Sequence, residues 1–116
     1  MKREIKFRAW HKLNESMYHM GWNKRPNAEV FYTIGTLFAL GEDAEFMQFT
    51  GLTDKNGVKI FEGDIIGLND VICPITFENG SFQMITDINQ GKSNAIQERV
   101  KHFEVIGNIY QNPELL

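Results

Sequence analysis

Two Asn-Gly pairs, each next to runs of alternating apolar and polar residues, constrain this chain more than any other feature. Asn56-Gly57 follows the run EFMQFTG, and Asn79-Gly80 lies between VICPITF and SFQMIT. A two-residue type I′ turn needs positive φ at both central positions, which asparagine and glycine tolerate best. Alternation with a period of two is typical of strands that bury one face. The sequence therefore predicts antiparallel β-hairpins, one of them covering residues 46–62.

The other segments extend this pattern. Residues 5–22 alternate in EIKFRAW and are again aromatic in MYHMGW, which predicts a hairpin with a loop of several residues. Residues 29–40 fit two short strands broken at Gly35 or a strand that runs into a helical turn, and we favour a strand followed by a loop. Because Pro74 cannot donate a ladder hydrogen bond, its strand is expected at a sheet edge or at a bulge. EVIGNIY predicts a closing strand.

Helical signals are few. Ser93 can cap an apolar stripe of helical spacing over residues 93–103, after a polar run at 87–94 that is typical of a loop. Pro113 at a first helical position predicts a terminal helical turn. About seven short antiparallel strands with one or two short helices indicate a small mainly-β fold, either a partly open barrel or a sandwich.

Length and composition indicate a single globular domain over residues 1–116. Hydrophobic residues make up 42% of the chain and charged residues 23%. No window approaches the roughly 20 apolar residues of a spanning helix, and the N-terminus has no apolar signal block. The lone cysteine, Cys73, forms no internal disulfide, which suits a reducing compartment. We therefore expect a cytoplasmic protein without a membrane partner.

The net charge of −3 is unevenly distributed, because residues 1–25 carry seven basic and two acidic side chains. On an alternating strand Lys6, Arg8 and Trp10 project together, a combination of cations and an aromatic ring that can contact single-stranded nucleic acid. Outward lysine and arginine side chains equally protect a sheet edge. Nucleic-acid binders usually have a basic domain overall. We favour neutralisation of the basic segment within its own protein and keep these three residues as candidate nucleic-acid contacts.

Carboxylates in the glycine-rich middle segment do not form a recognisable ligand loop. DKNG matches the centre of a calcium loop, but Leu52 and Gly63 stand where that loop needs side-chain oxygen ligands. Glu62 and Asp64 lie two residues apart at a glycine turn, where we expect solvated carboxylates rather than an acid/base pair. We therefore interpret this segment as architecture.

Other residues with catalytic or ligand chemistry are scattered. GKS at 91–93 lacks the first glycine of a phosphate loop. His11, His19 and His102 are widely spaced, although the first two can approach each other across the first hairpin. Cys73 is expected to be a small buried hydrophobe with a raised thiol pKa. The sequence predicts no catalytic residue, no metal ligand and no cofactor.

Three blocks, MKREIKFRAWHKLNESMYH, MQFTGLTDKNGVKIFEGDII and FEVIGNIYQNPELL, follow one another over nearly the whole chain. In this order they resemble the YopX family of small proteins encoded by bacteriophages and prophages, whereas residues 22–44 and 86–100 match no family pattern. The resemblance implies a mainly-β fold of its own type, self-association, residence in the bacterial cytoplasm and no established enzymatic activity. It carries over no functional residues.

The C-terminal block ends in a segment that combines a tight bend with polar side chains. Gly107 suits a bulge, and Tyr110, Gln111 and Glu114 are expected to be exposed. We expect these three residues to form the partner surface.

Together these observations predict a non-enzymatic phage accessory protein that acts by binding to itself in a small oligomer or to a host or phage macromolecule. Two alternatives stay open. One is a nucleic-acid-binding module that uses the N-terminal strand and whose affinity falls steeply with salt. The other is a small metal-dependent or hydrolytic enzyme, which would need at least two of a small set of residues within hydrogen-bonding reach in one cleft: His11, His19, Glu62, Asp64 and Cys73.

Overall fold

The computed structural model describes residues 4–84 and 99–116, without the side chain of Arg25. Two compact units are present, one ending at Gln48 and one starting at Phe49. The described residues contain ten strands in antiparallel pairs, one short α-helix and two 3-10 helices. The predicted mainly-β fold is therefore confirmed, with ten strands in place of about seven. A single domain over residues 1–116 stays a prediction.

The first unit consists of short strands and one helix. In chain order these are β1 (Phe7–His11), β2 (Ser16–His19), β3 (Gly21–Arg25), β4 (Ala28–Tyr32), α1 (Ile34–Phe38) and the first part of β5 (Ala44–Thr53). β1 lies between β2 and β5, and β3 pairs with β4 as a separate hairpin. The predicted N-terminal hairpin is confirmed as β1 and β2, but Trp22 belongs to the next strand.

β1 is covered on both faces. Its consecutive residues Arg8, Ala9 and Trp10 are only 6%, 0% and 9% exposed. The predicted outward projection of Arg8 and Trp10 is therefore wrong. Alternation implies a solvent-facing side only where one face of the sheet is open, whereas this strand is central and α1 packs against it.

α1 shows that the favoured strand-then-loop prediction for residues 29–40 is wrong and that the helical alternative is right. Thr33 Oγ1 accepts a hydrogen bond from the backbone N–H of Thr36 at 3.1 Å, which caps the helix. Leu37 is fully buried. Isoleucine, glycine and threonine are weak helix formers, so the cap and the buried leucine stabilise α1 rather than intrinsic propensity.

The second unit contains the rest of β5 and most of the longer ladders. Its other elements are β6 (Lys59–Phe61), β7 (Asp64–Leu68), β8 (Val71–Glu78), β9 (Ser81–Met84), β10 (Glu104–Asn108) and the 3-10 helices Val100–His102 and Pro113–Leu115. β6 pairs with β5, and β10, β7, β8 and β9 form a sheet in that order. The core of this unit is formed by Ile60, Ile66, Cys73, Ile75, Met84, Val100 and Phe103.

The two Asn-Gly pairs both close hairpins but use different geometry. Asn79 and Gly80 have φ values of 53° and 81°, which confirms the type I′ turn. In the other pair only Gly57 has positive φ, at 82°. The side chain of Asp54 instead accepts hydrogen bonds from two backbone N–H groups of that turn, at 2.8 and 2.9 Å. A side-chain acceptor therefore replaces the predicted type I′ geometry.

Pro74 lies inside the sheet, so the prediction of an edge strand or bulge is wrong. The ladder of β8 with β7 ends at Pro74 and its ladder with β9 begins at Ile75, so the missing N–H falls where the partner changes. The closing strand and the terminal turn are confirmed as β10 and Pro113–Leu115. The predicted loop at 87–94 lies outside the described residues, as does most of the predicted helix at 93–103.

Asp54 connects the β5–β6 turn to β10. Its buried carboxylate accepts a third hydrogen bond, through Oδ2, from the backbone N–H of Val105 at 2.9 Å. Burial raises the pKa of Asp54, but the hydrogen bonds from Val105, Val58 and Asn56 outweigh this, so the pKa lies below its ordinary value. The ionised carboxylate is therefore the form that stabilises this connection.

Replacing Asp54 with alanine should lower the free energy of unfolding by about 2 to 4 kcal/mol, because three backbone donors lose their acceptor. Urea denaturation followed by circular dichroism measures the change. Asp43→Ala removes an exposed carboxylate and should change stability by less than about 0.5 kcal/mol. Equal effects of the two substitutions would contradict this role.

The same site predicts a pH dependence. The pKa of Asp54 is lower in the folded protein than in the unfolded chain. The stability that its carboxylate contributes is therefore present above the pKa of the unfolded chain, about 3.9, and is lost as the pH falls through the pKa of the folded protein. The stability difference between wild type and Asp54→Asn should therefore narrow below about pH 4. A difference that stays constant between neutral and strongly acidic pH would refute this assignment.

Candidate interaction surface

An exposed aromatic pair lies on the β3–β4 hairpin. Trp22 is 72% exposed and its cross-strand partner Phe31 is 50% exposed. Their ring centroids are 5.1 Å apart with an interplanar angle of 67°, an edge-to-face arrangement. Each ring therefore contacts the other while leaving much of its surface to solvent.

Two charged residues share the face of this aromatic pair. Lys24 follows Trp22 by two positions on β3, and Glu29 precedes Phe31 by two on β4, so all four side chains project from the same side. All four residues are exposed, and Lys24 is directly opposite Glu29 in the register. We call Trp22, Lys24, Glu29 and Phe31 the hairpin face. It is electrically neutral, with one cation and one anion beside two aromatic rings.

The opposite side of the hairpin is held by the rest of the first unit. Tyr32 stacks on Tyr18 of β2, with ring centroids 5.4 Å apart and an interplanar angle of 17°. Asn23 Nδ2 donates a hydrogen bond to the carbonyl oxygen of His19 at 2.6 Å, and Asn23 Oδ1 accepts one from the backbone N–H of His19 at 3.2 Å. The hairpin is thus anchored through one side, which leaves the hairpin face open.

A second group of exposed apolar side chains lies on α1. Ile34 and Phe38, four residues apart on one side of the helix, are both exposed, and Phe38 lies 5.0 Å from Phe46 between ring centroids. The large exposed hydrophobic residues of the first unit are Ile5, Leu13, Trp22, Phe31, Ile34 and Phe38. Of these, the cross-strand pair of Trp22 and Phe31 is shown to be in contact, and adjoining exposed apolar groups are the arrangement typical of an interaction surface.

The candidate nucleic-acid contacts do not form an exposed basic row. Arg8 and Trp10 are buried, and half-buried Lys6 places Nζ 3.3 Å from Glu4 Oε1. Among residues 1–48 there are seven basic and six acidic side chains. The charges of the first unit therefore nearly balance in number, and neutralisation of the basic segment within its own protein stays a prediction.

The C-terminal candidate residues are partly used to hold the chain end. Buried Asn108 accepts hydrogen bonds through Oδ1 from the backbone N–H groups of Tyr110 and Gln111, at 3.0 and 2.9 Å. Its Nδ2 donates to Gln111 Oε1 at 2.7 Å. Tyr110 is half-buried, whereas Gln111 and Glu114 are exposed as expected. A partner surface at this end stays a prediction.

The two histidines of the first hairpin are not brought together. His19 is opposite Arg8 in the register, and His11 is opposite Ser16 at the other end of the hairpin. The expected approach of the two side chains is therefore wrong. Partial burial and the positive charges of Arg8 and Lys6 lower the pKa of His19, which favours its neutral form.

The carboxylates of the middle segment have different environments. Asp64 is buried, not solvated as predicted, and its Oδ2 accepts a hydrogen bond from the backbone N–H of Phe61 at 2.8 Å. Glu62 is half-buried. Among the described residues, no three histidine, cysteine, aspartate or glutamate side chains are grouped so that they could hold a metal ion.

The hairpin β3–β4 is the part of the surface that the sequence interpretation missed. The segment WNKRPNAEVF was interpreted as the end of one hairpin followed by a new strand. The sequence feature that indicates this hairpin is symmetry about Pro26-Asn27, because Trp22 and Phe31 lie equally far from these two turn residues. Proline favours the first central position of a turn, which makes a two-residue connection here recognisable.

Fold and surface together define a small mainly-β protein with an exposed aromatic face. The YopX protein family matches residues 6–116, and the chain belongs to this family. The resemblance seen in the sequence is thereby confirmed. The expectation that residues 22–44 and 86–100 match no family pattern is wrong, because the family match spans both ranges. Within the described part of the chain, no helix combines the length and apolar character needed to cross a membrane.

Crystal structures similar to this chain include those of two bacterial proteins. Protein EF1440 from Enterococcus faecalis has 26% sequence identity and a TM-score of 0.65, and the match covers 99% of both chains. Protein yopX from Bacillus subtilis has 24% identity and a TM-score of 0.58 over 96% of this chain and 97% of its own, which supports the fold alone. No curated protein matches this chain. Neither structure's name states an activity, a ligand or a partner.

Cys73 is buried, which confirms the sequence prediction, and burial raises the pKa of its thiol to about 11 although Arg99 opposes this. We expect iodoacetamide at pH 8 to alkylate the native protein roughly 100-fold more slowly than the denatured protein, because so little thiolate is present. Mass spectrometry of timed samples measures the two rates. Similar rates in both states would show that the thiol is accessible.

The two tryptophans should respond differently to a soluble quencher. In Trp10→Phe the remaining indole of Trp22 is exposed, and in Trp22→Phe the remaining indole of Trp10 is buried. Acrylamide should therefore quench the first variant several-fold more strongly than the second, a ratio that Stern-Volmer plots measure. Both variants in denaturant serve as controls and should become equal. Equal quenching in the native state would contradict the described burial.

Proposed function

We propose that this protein is a cytoplasmic phage or prophage accessory protein that acts by binding and carries out no catalysis of its own. The binding site is the hairpin face, and its ligand is a second copy of the chain or a phage or host macromolecule. The observation that supports this most directly is the exposure of Trp22 beside Phe31. Tryptophan is enriched among the residues that dominate binding energy at interfaces.

The physical argument is the cost of leaving large rings in water. Burial of apolar surface contributes roughly 25 cal/mol per Å², so both rings would gain stability from a covering partner. The edge-to-face contact of the rings orders them before binding, which lowers the entropy that a partner must overcome. The anchored opposite side of the hairpin has the same effect on the backbone.

The buried polar groups support an architectural rather than a catalytic use of the carboxylates. Asp54 and Asp64 accept hydrogen bonds from backbone N–H groups at turns. These contacts use carboxylate oxygens that a general base or a metal ligand would need. Binding of nucleic acid through Lys6, Arg8 and Trp10 has less support, because two of these side chains are buried.

Serine substitution provides a matched test. Phe31→Ser removes half of the exposed pair, and Phe77→Ser removes a phenylalanine that is 49% exposed and also forms an edge-to-face pair, with Phe82 of β9. Binding is measured by light scattering of the purified protein and by capture from a lysate of phage-infected cells. Phe31→Ser should weaken binding at least about tenfold, whereas Phe77→Ser should leave it nearly unchanged.

Circular dichroism establishes that both variants are folded before binding is compared. Trp22→Ser should reproduce the loss seen with Phe31→Ser. If folded Trp22→Ser and Phe31→Ser bind every captured partner and themselves as wild type does, the hairpin face is not the binding site and the proposal fails.

A further inference from the structure

The hairpin face is complementary to a copy of itself. We infer, resting on the proposed function, that its partner is a second copy of this chain in a two-fold symmetric dimer. The register supplies the basis for this inference, because Trp22 is opposite Phe31 and Lys24 is opposite Glu29. Each aromatic ring of the face is therefore directly opposite the other ring, and the cation is directly opposite the anion.

A single symmetry operation satisfies both kinds of contact. Consider a two-fold axis in the plane of contact, parallel to the strands and midway between β3 and β4. Rotation about this axis places Trp22 over Phe31 of the partner subunit and Lys24 over Glu29 of the partner subunit. Each pair then occurs twice, as an isologous interface requires.

The charges of the face favour a second copy over a nucleic acid. Within the described part of the chain, Lys24 and Glu29 make no ion pair in their own subunit, so both are available to a partner. A nucleic acid would meet one carboxylate for each ammonium group on this face, which removes the electrostatic attraction that dominates such binding. A copy of the same face instead pairs both charges.

The size of the face sets the expected affinity. Stable interfaces bury roughly 800 Å² per partner, more than one side of a two-stranded hairpin with five-residue strands supplies. The dimer should therefore be in exchange with monomer, with a dissociation constant on the order of 10 μM or weaker. Association should consequently rise with concentration.

The test exchanges charges across the interface. In Lys24→Glu the face carries two carboxylates, and in Glu29→Lys it carries two ammonium groups. Each variant alone should dimerise roughly tenfold more weakly than wild type, because like charges meet twice. An equimolar mixture should recover wild-type association, because each face then meets its opposite. Sedimentation equilibrium over a concentration series measures all three, and Glu42→Lys, an exposed carboxylate outside the face, is the control.

Recovery on mixing separates this interface from a role inside one subunit. A cross-strand contact within the hairpin cannot be restored by adding another chain. High salt should reduce the difference between the single variants and wild type, because screening weakens exposed charges. Recovery in the mixture together with weak dimerisation of each variant supports the inference.

Other outcomes overturn it. Wild type that stays monomeric at about 1 mM excludes the dimer, because this concentration is about 100-fold above a dissociation constant of about 10 μM. Single variants that dimerise as wild type does, or a mixture that shows no recovery, exclude the proposed pairing. If lysate capture or a nucleic-acid gel shift depends on Trp22 while self-association is absent, the partner inference fails and the proposed binding function stands.

Discussion

Hydrogen bonds from backbone N–H groups to buried side-chain oxygens hold the second unit together at its turns. Asp54 supplies an acceptor to Val105, a residue 51 positions away, and so connects an early turn to the last strand. Asp64 and Asn108 do the same locally, at the start of β7 and the end of β10. An unpaired N–H in a buried position is costly, so these polar residues are required by the irregular backbone around them.

Close approach of the chain imposes a matching constraint near the C-terminus. A Cβ atom at Gly107 would lie 2.5 Å from Asn112 Oδ1, so any other residue at this position would displace the Asn112 side chain. The same Oδ1 accepts a hydrogen bond from the backbone N–H of Asn108 at 3.2 Å. These contacts hold the polar end of the chain in place, which limits how far Tyr110 and Gln111 are free to contact a partner.

The two units use their apolar residues differently. In the second, branched aliphatic residues and Cys73 form a buried cluster with the aromatic ring of Phe103. In the first, several aromatic side chains remain in solvent although the unit has buried residues such as Leu37 and Met47. In the second unit the carboxylates at turns stabilise the fold. In the first unit the exposed aromatic rings form the proposed binding site.

Much of the fold was predictable because its signals are local. The Asn79-Gly80 turn and the terminal turn at Pro113 depend on residues a few positions apart, and both agree with the structure. Errors arose where a distant neighbour decided the outcome. Pro74 lies inside a sheet because two different strands share β8, and Arg8 is buried because its strand is central.

The candidate site was harder to predict than the fold. Trp10 ends a run of alternating residues and Trp22 ends a run rich in aromatic residues, yet Trp10 is buried and Trp22 is exposed. Strand alternation states which side chains share a face but leaves open which face meets solvent. That choice depends on what packs against the strand, which neither the composition nor the spacing of these residues specifies.

By itself the sequence determined the mainly-β character, the family and the positions of the two Asn-Gly turns, because periodicity and turn chemistry act over a few residues. Only the tertiary structure decided that the basic N-terminal strand is central and that the β3–β4 hairpin is exposed. The physical reason is that burial results from pairing and packing between segments far apart in the chain, and such contacts leave no local pattern.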